Sequence, residues 1–158
     1  MSVLDNGAQG WARELKSFGI ELLWHPSLSE ESGVEAIEIL EAVAEGRTSL
    51  DFLCIEGSIL RGPNGSGLFN RLAGTGRTML EWVTRLAPHA QDCLAVGTCA
   101  SYGGIHASAP DPTEACGLQY ERSLPGGALG GDYRSLTGLP VINVAGCAPH
   151  PGWIMETI

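Results

Sequence analysis

An α/β domain with a mostly parallel sheet, covered by helices on both faces, is predicted by two observations in this sequence. Four short β-rich runs are each stopped by Gly or Pro: Ile20–Trp24 before Pro26, Leu50–Glu56 before Gly57, Cys93–Val96 before Gly97, and Pro140–Ala145 before Gly146. Stretches with helical periodicity alternate with these runs, and a strand–helix–strand alternation is the signature of parallel strands joined by crossover helices. The length, 158 residues with 44% hydrophobic composition, suits one domain with one core.

Each element has a local reason. Between the first two runs Val34, Ile37, Leu40 and Val43 recur every three residues, Ser32 and Glu35 have capping-box spacing, and Gly46 stands where a helix C-terminal glycine belongs. Thr78 and Glu81 form a second capping box ahead of Met79, Trp82, Val83 and Leu86, and Pro88 closes that pattern. Gly7–Phe18 carries a weaker helical pattern through Trp11, Leu15 and Phe18, and a last helix is expected to begin near Pro151. Arg61–Gly76 and Ala107–Leu139, rich in Gly, Pro, Ser and Asp, are expected to be long loops of functional use or covered by a partner. No internal repeat or dividing linker is present.

Composition removes several function classes. Nine Lys and Arg against eighteen Asp and Glu give a formal charge of −9, which repels phosphate backbones and anionic lipid surfaces, so nucleic acid is not an expected partner. No apolar run of transmembrane length occurs and Met1–Gly10 has no signal-like pattern, so the chain reads as soluble and untargeted. The five cysteines, Cys54, Cys93, Cys99, Cys116 and Cys147, are odd in number and include no Cys-x-x-Cys, which argues for a reducing compartment over a disulfide framework.

In a parallel α/β sheet ligands bind at the carboxyl ends of the strands. Trp24-His25-Pro26, Glu56-Gly57-Ser58, Gly97-Thr98-Cys99-Ala100-Ser101-Tyr102-Gly103-Gly104 and Gly146-Cys147-Ala148-Pro149-His150-Pro151 all fall at that edge. Cys99 and Cys147 each come just after a strand and are flanked by glycine, which lets backbone approach a bulky ligand. Cys147 also precedes a helix start, where amides favour a thiolate. Two such thiols form a redox pair, half of a metal site, or plain packed residues.

The other motifs are weaker. Gly62-Pro63-Asn64-Gly65-Ser66-Gly67 and Gly74-Thr75-Gly76 lack the GKS or GKT ending of a phosphate loop and read as plain turns. His25, His89, His106 and His150 lack zinc spacing, and no serine has a GxSxG setting. His25 and His150 lie at the ligand edge as candidate hydrogen-bond donors, Cys54 and Cys93 read as core, and Cys116 is uncommitted.

The segments from Gly97 to Ile105, Pro110-Asp111-Pro112-Thr113-Glu114-Ala115, and Ile142-Asn143-Val144-Ala145-Gly146-Cys147-Ala148-Pro149-His150-Pro151 closely resemble the small subunit of [NiFe] hydrogenases in order and spacing. Leu22–Ser29, Glu56-Gly57-Ser58 with Gly62–Gly67, and Gly117-Leu118-Gln119-Tyr120 resemble its cytoplasmic branch of uptake and hydrogen-sensing enzymes. The resemblance implies a flavodoxin-like three-layer sandwich and an oxidoreductase subunit acting with a large subunit that carries the nickel–iron centre and splits hydrogen. It implies that Cys99 and Cys147 are two of the four ligands of the proximal iron–sulfur cluster, [4Fe-4S] or a variant. Glu56, Thr98 and His150 are then expected beside that cluster.

The family pattern also predicts what is missing. An opening strand and a Cys-x-x-Cys-Thr motif, the source of the other two ligands, have no counterpart, and Met1-Ser2-Val3-Leu4 matches the residues just past that motif in this branch. Residues 1–158 are thus expected to be a single proximal-cluster domain without its first strand, inactive by itself, with the family's C-terminal cluster domain absent. Gly104 stands where oxygen-tolerant membrane enzymes carry an extra cysteine, so a six-Cys cluster is not expected. The expected location is cytoplasmic or peripheral to the inner face of the membrane, with the electron acceptor left open. The alternatives are the small subunit of a hydrogen-sensing enzyme with a signalling role, and a free-standing flavodoxin-like binder of flavin or nucleotide.

Overall fold

The computed structural model describes residues 15–158. The elements, in chain order, are α1 (Val34–Ala44), β1 (Leu50–Glu56), β2 (Ile59–Leu60), α2 (Met79–Leu86), β3 (Ala90–Val96), α3 (Gly97–Tyr102), β4 (Ala115–Cys116), β5 (Tyr120–Glu121), β6 (Leu124–Pro125), β7 (Ile142–Val144) and α4 (Pro151–Thr157). Single 3₁₀ turns occupy Ala87–His89 and Gly104–Ala107.

β1, β3 and β7 form a parallel sheet in the order β1-β3-β7. The register runs Leu50↔Ala90 to Glu56↔Val96 on one side of β3 and Leu94↔Ile142 to Val96↔Val144 on the other. Glu56, Val96 and Val144 therefore end level with one another, and the three loops beyond them leave from one edge. This is the α/β architecture with a parallel sheet that the alternation of elements predicts.

The core lies where α1 and α2 pack over Leu53, Cys93 and Ala95, with Val43, Trp82, Val83 and Leu86 as its larger members. α2 starts as expected: the Thr78 hydroxyl accepts from Glu81 N at 3.1 Å and the Glu81 carboxylate accepts from Thr78 N at 2.6 Å. Across the helix pair the Arg85 guanidinium bonds both Glu41 carboxylate oxygens, and Arg85 together with Arg77 holds the Glu41 carboxyl below its ordinary value.

Several expectations are corrected. Ile20–Trp24 is not a strand: its residues are β-prone, but no strand among the described residues pairs with it, and an extended segment without a ladder is not a strand. The Ser32/Glu35 capping box does not form, because Gly33 is the N-cap with φ 55° and ψ −121° and no side chain caps the helix. Gly46 does close α1, its N–H donating to Val43 O at 2.9 Å with φ 70°. Cys54 is exposed on β1 rather than core, whereas Cys93 and Cys116 are buried. Most of the expected Gly7–Phe18 helix lies outside the described residues; Leu15–Ser17 is helical.

The two long loops are held by structure of their own. β2 pairs antiparallel with β4, and β5 with β6. Gln119, nearly fully buried, donates to Gly131 O (2.8 Å) and Tyr133 O (3.1 Å) and accepts from Val141 N (2.8 Å), so one side chain ties the 117–139 loop to the approach to β7. Asp111 accepts from Thr113 N, Thr113 Oγ1 and Ala115 N. Burial pushes its carboxyl up, but these hydrogen bonds outweigh it and leave the group below its ordinary value.

Candidate iron–sulfur site at the strand edge

At the end of β3 the chain turns directly into α3. Gly97 takes φ 88°, a conformation that side chains rarely tolerate, and so brings Thr98 and Cys99 over the edge without an intervening loop. The loop after β7 is tied to this turn twice: Thr98 N donates to Gly146 O at 2.9 Å, and Gly146 N donates to Thr98 Oγ1 at 3.1 Å. Thr98 thereby fixes the two cysteine-bearing segments to each other. Leu118 N reaches Ala100 O at 2.7 Å and seats α3 against the 117–139 loop.

Cys99 and Cys147 line one cavity of about 630 Å³, together with Thr98, Tyr102, Gly104, Ile105 and Arg122 among others. Directly beside Cys99 the wall is bare backbone at Gly104, where a Cβ would lie 2.5 Å from Cys99 Sγ and 3.0 Å from Cys99 Cα. Gly104 also has φ 59°. Gly104→Ala is expected to cost about 1–2 kcal/mol from the left-handed backbone alone and to displace the Cys99 thiol. A urea midpoint at the wild-type value would contradict this.

The predicted residues are brought together only in part. Thr98, Cys99 and Cys147 share the cavity. Glu56 pairs with Val96 and so stands at the same edge, exposed, but it is not part of the cavity wall. His150 caps α4, its Nδ1 accepting from Gly152 N at 3.1 Å, and its ring lies 5.9 Å from that of Trp153. His25 likewise uses Nδ1 in a local turn, accepting from Ser27 N at 3.0 Å. Arg122, which carries no sequence motif, is part of the cavity wall and is a residue that sequence reasoning missed.

The other cysteines serve elsewhere. Cys93 Sγ lies 3.1 Å from Tyr133 Oη within the core, where burial pushes its thiol up. Cys116 Sγ faces Ile59 O at 3.6 Å, and burial raises its pKa to about 11. No group of three or more His, Cys, Asp or Glu that could hold a metal ion is present among the described residues, and residues 1–14 contain no cysteine. What these residues offer is two thiols in one mainly apolar cavity, a fit to half of a four-thiolate set. The Gly62–Gly67 loop is a turn, as expected: its Asn64 and Gly65 amides donate to the Glu114 carboxylate at 2.6 and 2.9 Å, which fills the position a phosphate would take.

The family model described as NADH ubiquinone oxidoreductase, 20 Kd subunit, matches residues 1–158. The chain belongs to that family. Among curated relatives it is 30% identical to the F420 non-reducing hydrogenase II small subunit of Methanosarcina mazei, over 99% of this chain and 43% of the relative. It is 33% identical to the periplasmic [NiFe] hydrogenase small subunit 1 of Nitratidesulfovibrio vulgaris, over 95% of this chain and 42% of the relative. Among solved structures it is similar to the actinobacterial-type NiFe-hydrogenase of Ralstonia eutropha (TM-score 0.71, 36% identity, 87% of this chain and 39% of that one). It also resembles the [NiFeSe] hydrogenase of Desulfovibrio vulgaris Hildenborough (TM-score 0.74, 31% identity, 98% of this chain and 52% of that one). The chain thus spans less than half the length of these curated relatives. The family member keeps the flavodoxin-like α/β fold, and no helix among its described residues is long and apolar enough to cross a membrane.

Proposed function

We propose that this family member is the electron-transfer module of a [NiFe] hydrogenase small subunit and that Cys99 and Cys147 ligate its proximal iron–sulfur cluster. The observation that carries the reading is the convergence of these two cysteines on one cavity at the carboxyl edge of the sheet, tied together through Thr98. When bound, the cluster supplies one-electron transfer. The chain's own residues hold and shape its surroundings. Cys99 and Cys147 give two thiolates, Thr98 ties their segments together, and the bare backbone at Gly104 leaves the Cys99 thiol uncrowded, since a Cβ there would lie 2.5 Å from Cys99 Sγ. Glu56 and His150 stand outside the cavity wall and act on it only from the edge. The three further cysteines, Cys54, Cys93 and Cys116, are not part of the cavity wall, so the remaining two thiolates of a [4Fe-4S] set come from outside it.

The relatives named above are hydrogenase small subunits, and on that basis the partner is a large subunit carrying the nickel–iron centre, where hydrogen is oxidised. A cytoplasmic location rests on the motif resemblance, although one relative is periplasmic by name. The test is spectroscopic. The chain is reconstituted anaerobically with ferrous iron and sulfide in excess dithiothreitol, which stands in for the other thiolates, and then reduced with dithionite. Wild type is expected to show the low-temperature electron paramagnetic resonance of a reduced cluster, and the Cys99→Ala, Cys147→Ala variant is expected to lack it. The same signal from both removes the assignment.

A further inference from the structure

Among the residues that line the cavity of the two thiols one is charged, Arg122, and the sequence gives no motif that accounts for it. Arg122 sits in the turn between β5 and β6 at φ 55°, a left-handed conformation that Gly or Asn takes at far less cost than Arg. Side chains kept in such strain concentrate at functional sites. Two hydrogen bonds fix it against the cysteine segment. Arg122 N donates to Tyr102 O at 2.9 Å, at the end of α3, and Arg122 Nε donates to Ala107 O at 2.6 Å. Its guanidinium has no carboxylate partner among the described residues, unlike those of Arg47, Arg61, Arg77 and Arg85. The result is a cation that is exposed to solvent yet tethered to the segment after Cys99, beside a mainly apolar cavity, in a chain whose formal charge is −9.

A thiolate-ligated cluster is an anion, and its reduced form carries one more negative charge than its oxidised form. Charge and hydrogen bonds near the sulfurs set its potential. We propose that Arg122 is a positioning residue whose guanidinium holds the anionic group between Cys99 and Cys147 and favours its reduced form. The inference rests on the ligand assignment above and adds to it a residue that tunes the site.

The test uses the full chain reconstituted as above, in wild-type, Arg122→Gln and Arg122→Lys forms, with Cys99→Ala, Cys147→Ala as control. Iron content is measured, and the paramagnetic signal is monitored through a redox titration. Removal of the cation is expected to shift the Arg122→Gln signal to a more negative potential, while Arg122→Lys, which keeps the charge but not the bond to Ala107, stays nearer to wild type. Coincident titrations of Arg122→Gln and wild type overturn the proposal. Equal shifts in the Gln and Lys variants also overturn it, because they assign the effect to loop anchoring through Ala107 O and not to charge. Wild type that retains no more iron than the cysteine control overturns the ligand assignment itself, and with it the role of Arg122.

Discussion

Gly117→Ala is expected to lower the free energy of unfolding by about 3 kcal/mol, the upper end of the usual cost of overpacking, and to reduce iron retention along with it. A Cβ at this position would meet Ser101 C and Ser101 O at 2.3 Å and Tyr102 N at 2.6 Å, all main-chain atoms that cannot rotate away. Ser101 is fully buried in α3, two residues from Cys99. The neighbouring backbone is committed on both sides, with Gly117 N donating to Tyr120 O and Ala128 N to Gly117 O. The strain can be relieved only by moving α3 away from the loop, and α3 carries Cys99. Urea denaturation and iron content together read this coupling. An alanine variant with wild-type midpoint and wild-type loading would show that α3 is not seated on this glycine.

Trp82→Ala is expected to cost about 3–5 kcal/mol, a large share of the total stability of a domain this size, yet to leave the site in each folded molecule unchanged. Trp82 is 1% exposed, lies in the cluster with Val43, Val83 and Leu86, and donates from Nε1 to Thr75 Oγ1 at 3.2 Å. The Arg85 guanidinium carbon stands 4.9 Å from its ring centroid, so truncation also removes a cation–π contact. None of its partners belongs to the cavity wall. A fall in midpoint with unchanged iron per folded chain is the expected pair of results. A loss of loading without a fall in midpoint would contradict the separation of core and site.

The fold was legible in the sequence to the extent that each signal is local. The bounds of β1 and the cap of α2 are readable because hydrophobic periodicity and the Thr78/Glu81 spacing act within a few residues. Ile20–Trp24 misleads because a strand is completed by a partner, and composition says nothing about whether one is there. Ser32 does not cap because Gly33 takes the N-cap position with a dihedral pair no pattern reveals. β2, β4, β5 and β6 are two residues each, too short for an alternating pattern to register.

That Cys99 and Cys147 share one edge of the sheet was legible because each comes just after a strand with glycine nearby. The details that shape their surroundings were not. Thr98 reaches Gly146 across 48 positions, and Gln119 reaches Val141 across 22. Arg122 comes to the cavity through a turn whose positive φ an arginine gives no reason to expect. Each of these is a long-range contact, decided by the packed fold and not by neighbouring residues.

The central claim, that Cys99 and Cys147 form the iron–sulfur edge of this chain, is tested most directly by counting iron and acid-labile sulfide per chain after anaerobic reconstitution. Wild type is compared with Cys54→Ala and with Cys99→Ala, Cys147→Ala, because Cys54 is the remaining exposed thiol and the natural competitor for adventitious metal. The account predicts that Cys54→Ala loads as wild type does and that the double variant loses both iron and sulfide. Undiminished loading of the double variant, or loss of loading in Cys54→Ala alone, would contradict it.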